Sequence, residues 1–352
     1  MEKKNNRYSL LLVGLAVLLV VGLVFTVGRS KKPTLNVYNW SEYLPAEIIT
    51  AFEKEFGVKV NYDTYSSNEE MLAKLSTGAT GYDIVVPSDY AVSIMIHQDL
   101  ALPLDKEALP NLANIDPRFL DLYFDPGNVY SVPYLWGTLG IAYNKTKVEE
   151  PVTSWEILWD PKYKGRIVVV DDMREIIGMA LQTLGKSRNS TDPAELMAAK
   201  AKLATLVPAI KAFDSDNPKG HLLSGEAWLG VLWSGDAALA GMENPDITYV
   251  LPEEGGGLWM ENLVIPKGSR NPELAHEFIN FILRPEVSAK LAEAFPHGNP
   301  NQAAHALIDP EILNNPASYP PAEALEKAEW LIDVGEATVL YDQIWTEIKG
   351  GR

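Results

Sequence analysis

The chain has 352 residues, 47 % hydrophobic and 22 % charged, enough for two α/β domains and unlike a disordered polymer. Its formal net charge of −17 argues against a nucleic-acid partner and suits a cationic ligand, while the absence of cysteine excludes disulfides, thiolate metal sites and a lipoprotein anchor. Lys3, Lys4 and Arg7 precede "LLLVGLAVLLVVGLVFTV", an 18-residue uncharged run from Leu10 to Val27. Residues 1–30 are therefore expected to be a Sec-type signal or a membrane anchor, with the cleavage question left open.

From Thr34 strands and helices alternate. "TLNVYNW" reads as a strand. Pro45 opens a helix whose Ile48, Ile49, Phe52 and Phe56 share a face and which Gly57 ends. "VKVNYDTY" is a second strand, Asn68 caps a short helix, and "YDIVVPS" is a third strand followed by a helix through Met95. This βαβαβ order predicts a mainly parallel, covered sheet. A second unit begins near Gly137. It holds the apolar strand "GRIVVVDD", a helix with Ile176, Ile177 and Leu181, and a helix "KAKLATLVPAIKAF". "AWLGVLW" and "ENLVIP" add strands, and Asn271 with Pro272 starts a helix "NPELAHEFINFIL".

Two α/β lobes predict a cleft, with ligand beyond the carboxyl ends of the strands. That rule selects Trp40, Ser41 and Glu42, then Ser88, Asp89 and Tyr90, then Asp171 and Asp172, and then Trp233. The set is acidic and aromatic. It contains no phosphate loop, no nucleophile motif and no paired histidines, so neither a cofactor nor a metal is expected. In "GGGLWMENLVIP", Glu261 stands between Trp259–Met260 and Leu263–Val264–Ile265, where a carboxylate needs either water or a cation. Asp172-x-x-Glu175 has the spacing of an N-cap with a first-turn acid, a role that can coexist with facing the cleft. Aromatic faces with carboxylates suit an amine separated by methylenes. Two carboxylates among tryptophans also suit a glycosidase.

These residues lie in blocks that resemble the spermidine/putrescine-binding proteins of bacterial polyamine ABC importers. The blocks include "VYNWSEYLP", "YDIVVPSDY", "YSVPYLWGTLGIAYN", "DDMREIIGMAL", "DSDNP", "GGGLWMENLVIPKG" and "EWLIDVGEA", and the similarity runs from Leu35 to Arg352. The resemblance implies a two-lobed periplasmic-binding-protein (type II) fold closing about a hinge. Its lobes are expected at 34–136 plus 260–306 and at 137–259 plus 307–352. It implies a non-enzymatic, monomeric, extracytoplasmic protein that delivers a polyamine to a membrane permease. By similarity, Trp40, Ser41, Ser88 and Tyr90 contact the ligand from one lobe, and Asp172 and Glu175 accept amines from the other. Trp233 and Trp259 sandwich the methylene chain, and Glu261 binds an amine. Glu261 replaces a shorter aspartate, Asp89 adds an acid, His297 stands for a tyrosine and Leu331 for a glutamine. A carbohydrate-binding protein of the same fold and a membrane-tethered glycosidase are the alternatives.

Overall fold

A computed structural model describes residues 32–78 and 81–350, so the predicted signal or anchor at 1–30 lies outside the described residues. Strand β1 (Thr34–Trp40), helix α1 (Ala46–Phe56), strand β2 (Lys59–Tyr65), helix α2 (Asn68–Ser76), strand β3 (Ile84–Val85) and helix α3 (Asp89–His97) follow in the expected order. In α1, Ile48 and Phe52 are buried, and Gly57 terminates the helix at φ 68°. That left-handed conformation costs glycine nothing and other residues a Cβ clash. Phe52 stacks on Phe56 and meets Phe278 edge-on at 4.9 Å, which ties α1 to the far end of the chain.

The chain continues through β4 (Ser131–Asn144), β5 (Ile167–Val169), α4 (Met173–Thr183), α5 (Pro193–Leu206), β6 (Ile210–Phe213) and α6 (Pro218–Leu223). Next come β7 (Leu229–Trp233), α7 (Ser234–Glu243), β8 (Ile247–Val250) and β9 (Gly257–Val264). The last elements are α8 (Pro272–Ile282), α9 (Pro285–Ala294), α10 (Pro310–Leu313), β10 (Glu329–Trp330) and α11 (Thr338–Gly350). Three expectations are corrected. The single helix read in "KAKLATLVPAIKAF" ends at Leu206, and β6 follows. Pro208 lacks the N–H that a continuing helix needs. Ser67 rather than Asn68 caps α2, accepting from the Glu70 amide, and Asn68 instead donates to the Ser88 hydroxyl. Asn271 makes no side-chain cap, and its Nδ2 donates to the Thr34 carbonyl at 3.1 Å.

The strands are hydrogen-bonded in the order β2-β1-β3-β9-β4-β7-β5-β6, with β10 on β9 and β8 on β4. β1 runs parallel to β2 and β3, and β5 runs parallel to β6 and β7. The βαβαβ unit is thus parallel as expected, while β4 and β9 run antiparallel to β7 and β3, and to each other, so the whole sheet is mixed. Two hydrophobic cores flank that crossing. One gathers Leu35, Phe52, Ile84, Leu135 and Phe278, and the other gathers Leu139, Ile167, Ile177, Leu203 and Tyr341. β4 thus serves both cores, Leu135 packing in the first and Leu139 in the second. Its register there pairs Trp136 with Met260 and Gly137 with Trp259. Ile308 and Ile312 pack with Ala289 and Ala292 of α9, whose Leu291 belongs to the first core. The segment after 306 therefore begins against α9 and the first core.

Candidate functional site

Glu261 lies within β9, and a bridge pairs it with Ser88 at the start of α3. Alternation along β9 sends Met260 and Val264 into one apolar cluster and sets Glu261 on the face of Trp259 and Leu263, where it is 4 % exposed. Trp40 Nε1 donates to one carboxyl oxygen at 2.8 Å, and Ser88 Oγ donates to the other at 2.8 Å. Asn68 Nδ2 in turn donates to Ser88 Oγ at 2.9 Å, which fixes the hydroxyl. Both donors are neutral, and among the described residues no cation pairs with Glu261. Burial pushes its carboxyl up to about 8, opposed by the donors from Ser88 and Trp40 and reinforced by the negative charges of Asp89 and Asp172.

Asp172 caps α4, its Oδ1 accepting from the Glu175 amide at 3.0 Å, and it also lines the cleft that holds Glu261. The capping and cleft-facing roles coexist. Burial and the neighbouring Glu175 and Glu69 push Asp172 up to about 7. The Glu175 carboxylate forms a fully buried ion pair with Arg188. That internal partner was not legible in the sequence. Tyr90 Oη donates to Glu69 at 3.0 Å, and Asp89 is wholly buried with its Oδ1 accepting from the Tyr90 amide. Burial lifts the Asp89 carboxyl well above the usual range, opposed by the Tyr90 amide that it accepts from.

The apolar walls are aromatic. Trp40 tilts onto Tyr65 with ring centroids 4.5 Å apart, and Trp233 ends β7 beside the cleft. Trp259 is 3 % exposed and lies 5.4 Å from the His297 ring. Within the described residues Asp89 Oδ2, Trp259 Nε1, His297 Nδ1 and Ser215 Oγ are buried cleft-residue atoms without a hydrogen-bond partner. Buried polar atoms are seldom left so, and a bound solute would supply partners.

Residues 47–321 match the model of the bacterial extracellular solute-binding protein family. The chain belongs to that family. Over 325 residues it is 44 % identical to a spermidine/putrescine-binding periplasmic protein of Salmonella typhimurium, covering 92 % of this chain and 93 % of the relative. A solved structure from Listeria monocytogenes superposes with a TM-score of 0.89 at 43 % identity, covering 91 % of this chain and 99 % of that one. The substrate-binding protein PotD of the spermidine/putrescine ABC transporter of Streptococcus pneumoniae gives a TM-score of 0.77 at 39 % identity, covering 91 % and 99 %. The architecture is thus the two-lobed α/β periplasmic-binding-protein fold, as the resemblance implied. Solute-binding proteins bind rather than transform, so the paired acids are not a glycosidase pair.

One cleft brings together twelve of the predicted residues, whereas Asp171, also selected by the strand-end rule, lies outside it and pairs with Lys349 at 2.6 Å. Trp40, Ser41, Glu42, Ser88, Asp89 and Tyr90 approach from the β1 and β3 side. Asp172, Glu175, Trp233, Trp259, Glu261 and His297 complete it. Burial drives His297 down to about 3, so the ring is neutral and carries no charge against a cation. Sequence reasoning missed Tyr43, which faces both His297 at 4.7 Å and Trp259 at 6.5 Å. It also missed Asp236, in the first turn of α7. The strand-end rule reached Trp233 and stopped three residues short. Ser215 and Asp216 escaped because β6, which they follow, read as helix.

Gly137 lies where a side chain would collide with this wall. A Cβ there meets the Trp259 ring at 2.4 Å and Ser234 Oγ at 2.6 Å. Gly137→Ala must displace the ring, and overpacking of this kind costs about 1–3 kcal/mol. A lowered melting temperature is expected, and a melt matching wild type would show that the wall is loose.

Proposed function

We propose that this chain is the extracytoplasmic binding component of a polyamine ABC importer. It captures spermidine or putrescine between its lobes and delivers it to a membrane permease. The observation that carries this reading is Glu261, a buried carboxylate met only by neutral donors in an aromatic cleft that also holds Asp172. An alkylammonium supplies the missing charge, and its methylenes pack on Trp40, Trp233 and Trp259. The names of the Salmonella and Streptococcus relatives support the same ligand class. Lobes at about 34–136 plus 260–306 and 137–259 plus 307–352 move as units, the start of the last segment riding on the first. The protein acts as a monomer, and residues 1–28 direct export or anchor it outside the cytoplasm.

A thermal-shift screen of polyamines, maltose and amino acids tests the ligand class. A ligand at 100 times its Kd adds about 2.7 kcal/mol of stability. Stabilisation by maltose alone would move the assignment to carbohydrate. Asp172→Asn keeps a capping side chain, since asparagine caps as well as aspartate does. It should weaken amine binding by about 1.5–3 kcal/mol, the scale of a hydrogen bond to a charged group. Calorimetry showing unchanged affinity would restrict Asp172 to capping.

A further inference from the structure

The cleft's carboxylates differ in whether the chain already gives them a cation. Glu175 has Arg188. Glu42 and Asp236 share Lys219, whose ammonium lies 2.5 Å from Glu42 Oε2 and 3.7 Å from Asp236 Oδ1. The Lys219 side chain is only 10 % exposed. Glu42 holds an unusual backbone conformation, φ 55°, in the turn after β1, and from there its carboxylate meets Lys219 of α6. Lys219 is therefore a resident ammonium that bridges two acids lining the cleft from opposite sides of the β4/β9 crossing. Asp216 is exposed at the rim, where water and salt screen it. Apart from Asp216, the cleft carboxyls among the described residues that have neither a resident ion-pair partner nor complete enclosure are the half-buried Asp172 and the buried Glu261.

We propose that Lys219 takes the place of a third ligand amine, so that the cleft prefers a diamine to a longer triamine. Two acids await charge, and a diamine brings two. A third ammonium approaching Glu42 and Asp236 meets Lys219, a like charge already seated between the two carboxylates. This rests on the polyamine reading and specifies its substrate.

Titration calorimetry with putrescine and spermidine, on wild type, Lys219→Met and Lys219→Arg, tests it. Wild type should bind putrescine at least as tightly as spermidine. Lys219→Met, which keeps the stem and removes the charge, should raise spermidine affinity relative to putrescine by about tenfold or more. Lys219→Arg should retain the wild-type ranking. A wild-type preference for spermidine of about tenfold would overturn the proposal without any variant. An unchanged ratio in a Lys219→Met protein that melts normally would overturn it too. Binding of neither amine by wild type would sink the polyamine reading itself, and the specificity proposal with it.

Discussion

Glu261→Gln lowers polyamine affinity more than 100-fold at pH 8, about 3 kcal/mol. Removing one partner of a buried, hydrogen-bonded charge pair costs roughly 2–5 kcal/mol, because the remaining charge stays desolvated without compensation. The glutamine is isosteric and its carbonyl still accepts from Trp40 or Ser88, so the loss reports charge rather than a cavity. The fold persists, since the unliganded glutamate already favours its neutral form. At pH 6 the loss is much smaller, because wild type must there expend binding energy to ionise its own carboxyl. Calorimetry of both proteins at the two pH values measures it. Equal affinities at pH 8 would remove Glu261 from amine recognition.

The second large effect is pH itself. Glu261 is pushed up to about 8 and Asp172 to about 7, in both cases chiefly by burial. Asp236 also rises to about 7, burial outweighing the Lys219 charge. The folded, ligand-free chain thus keeps protons that the unfolded chain releases near its ordinary carboxylate values. Stability from these groups is fully present below about pH 4 and is lost as pH rises through about 7 to 8. An amine reverses the preference by favouring the ionised form. Binding near pH 7 then releases about one to two protons, from Glu261 and Asp172. Affinity rises by about ten- to a hundredfold per pH unit between pH 5.5 and 7, and levels off above 8. Titrations in two buffers of different ionisation enthalpy count the protons directly. A pH-independent affinity with no proton release would mean that both carboxyls are already ionised in the empty cleft.

Most of the cleft was legible from local chemistry. β3 and β5 are short apolar runs followed by polar residues, and β1 alternates Leu35 and Val37 with polar positions, so Trp40, Ser88 and Asp172 could be placed at strand ends before any packing was known. The lone acid in "LWMENLVI" already required a partner, since β9 is buried along its whole length. Gly57 closed α1 as its backbone freedom demands. Tertiary structure decided which acids were already matched. Arg188 is 13 residues from Glu175, and Lys219 is 177 residues from Glu42, so neither pairing is written in a local spacing. The sheet's mixed character was likewise hidden. A fully buried strand reads as the same apolar run in either direction, and only the pairing of residues 131–139 with residues 257–264 sets β4 against β9. Periodicity describes one segment against an unspecified interior, whereas the charge a cleft leaves unpaired depends on which distant segments close around it.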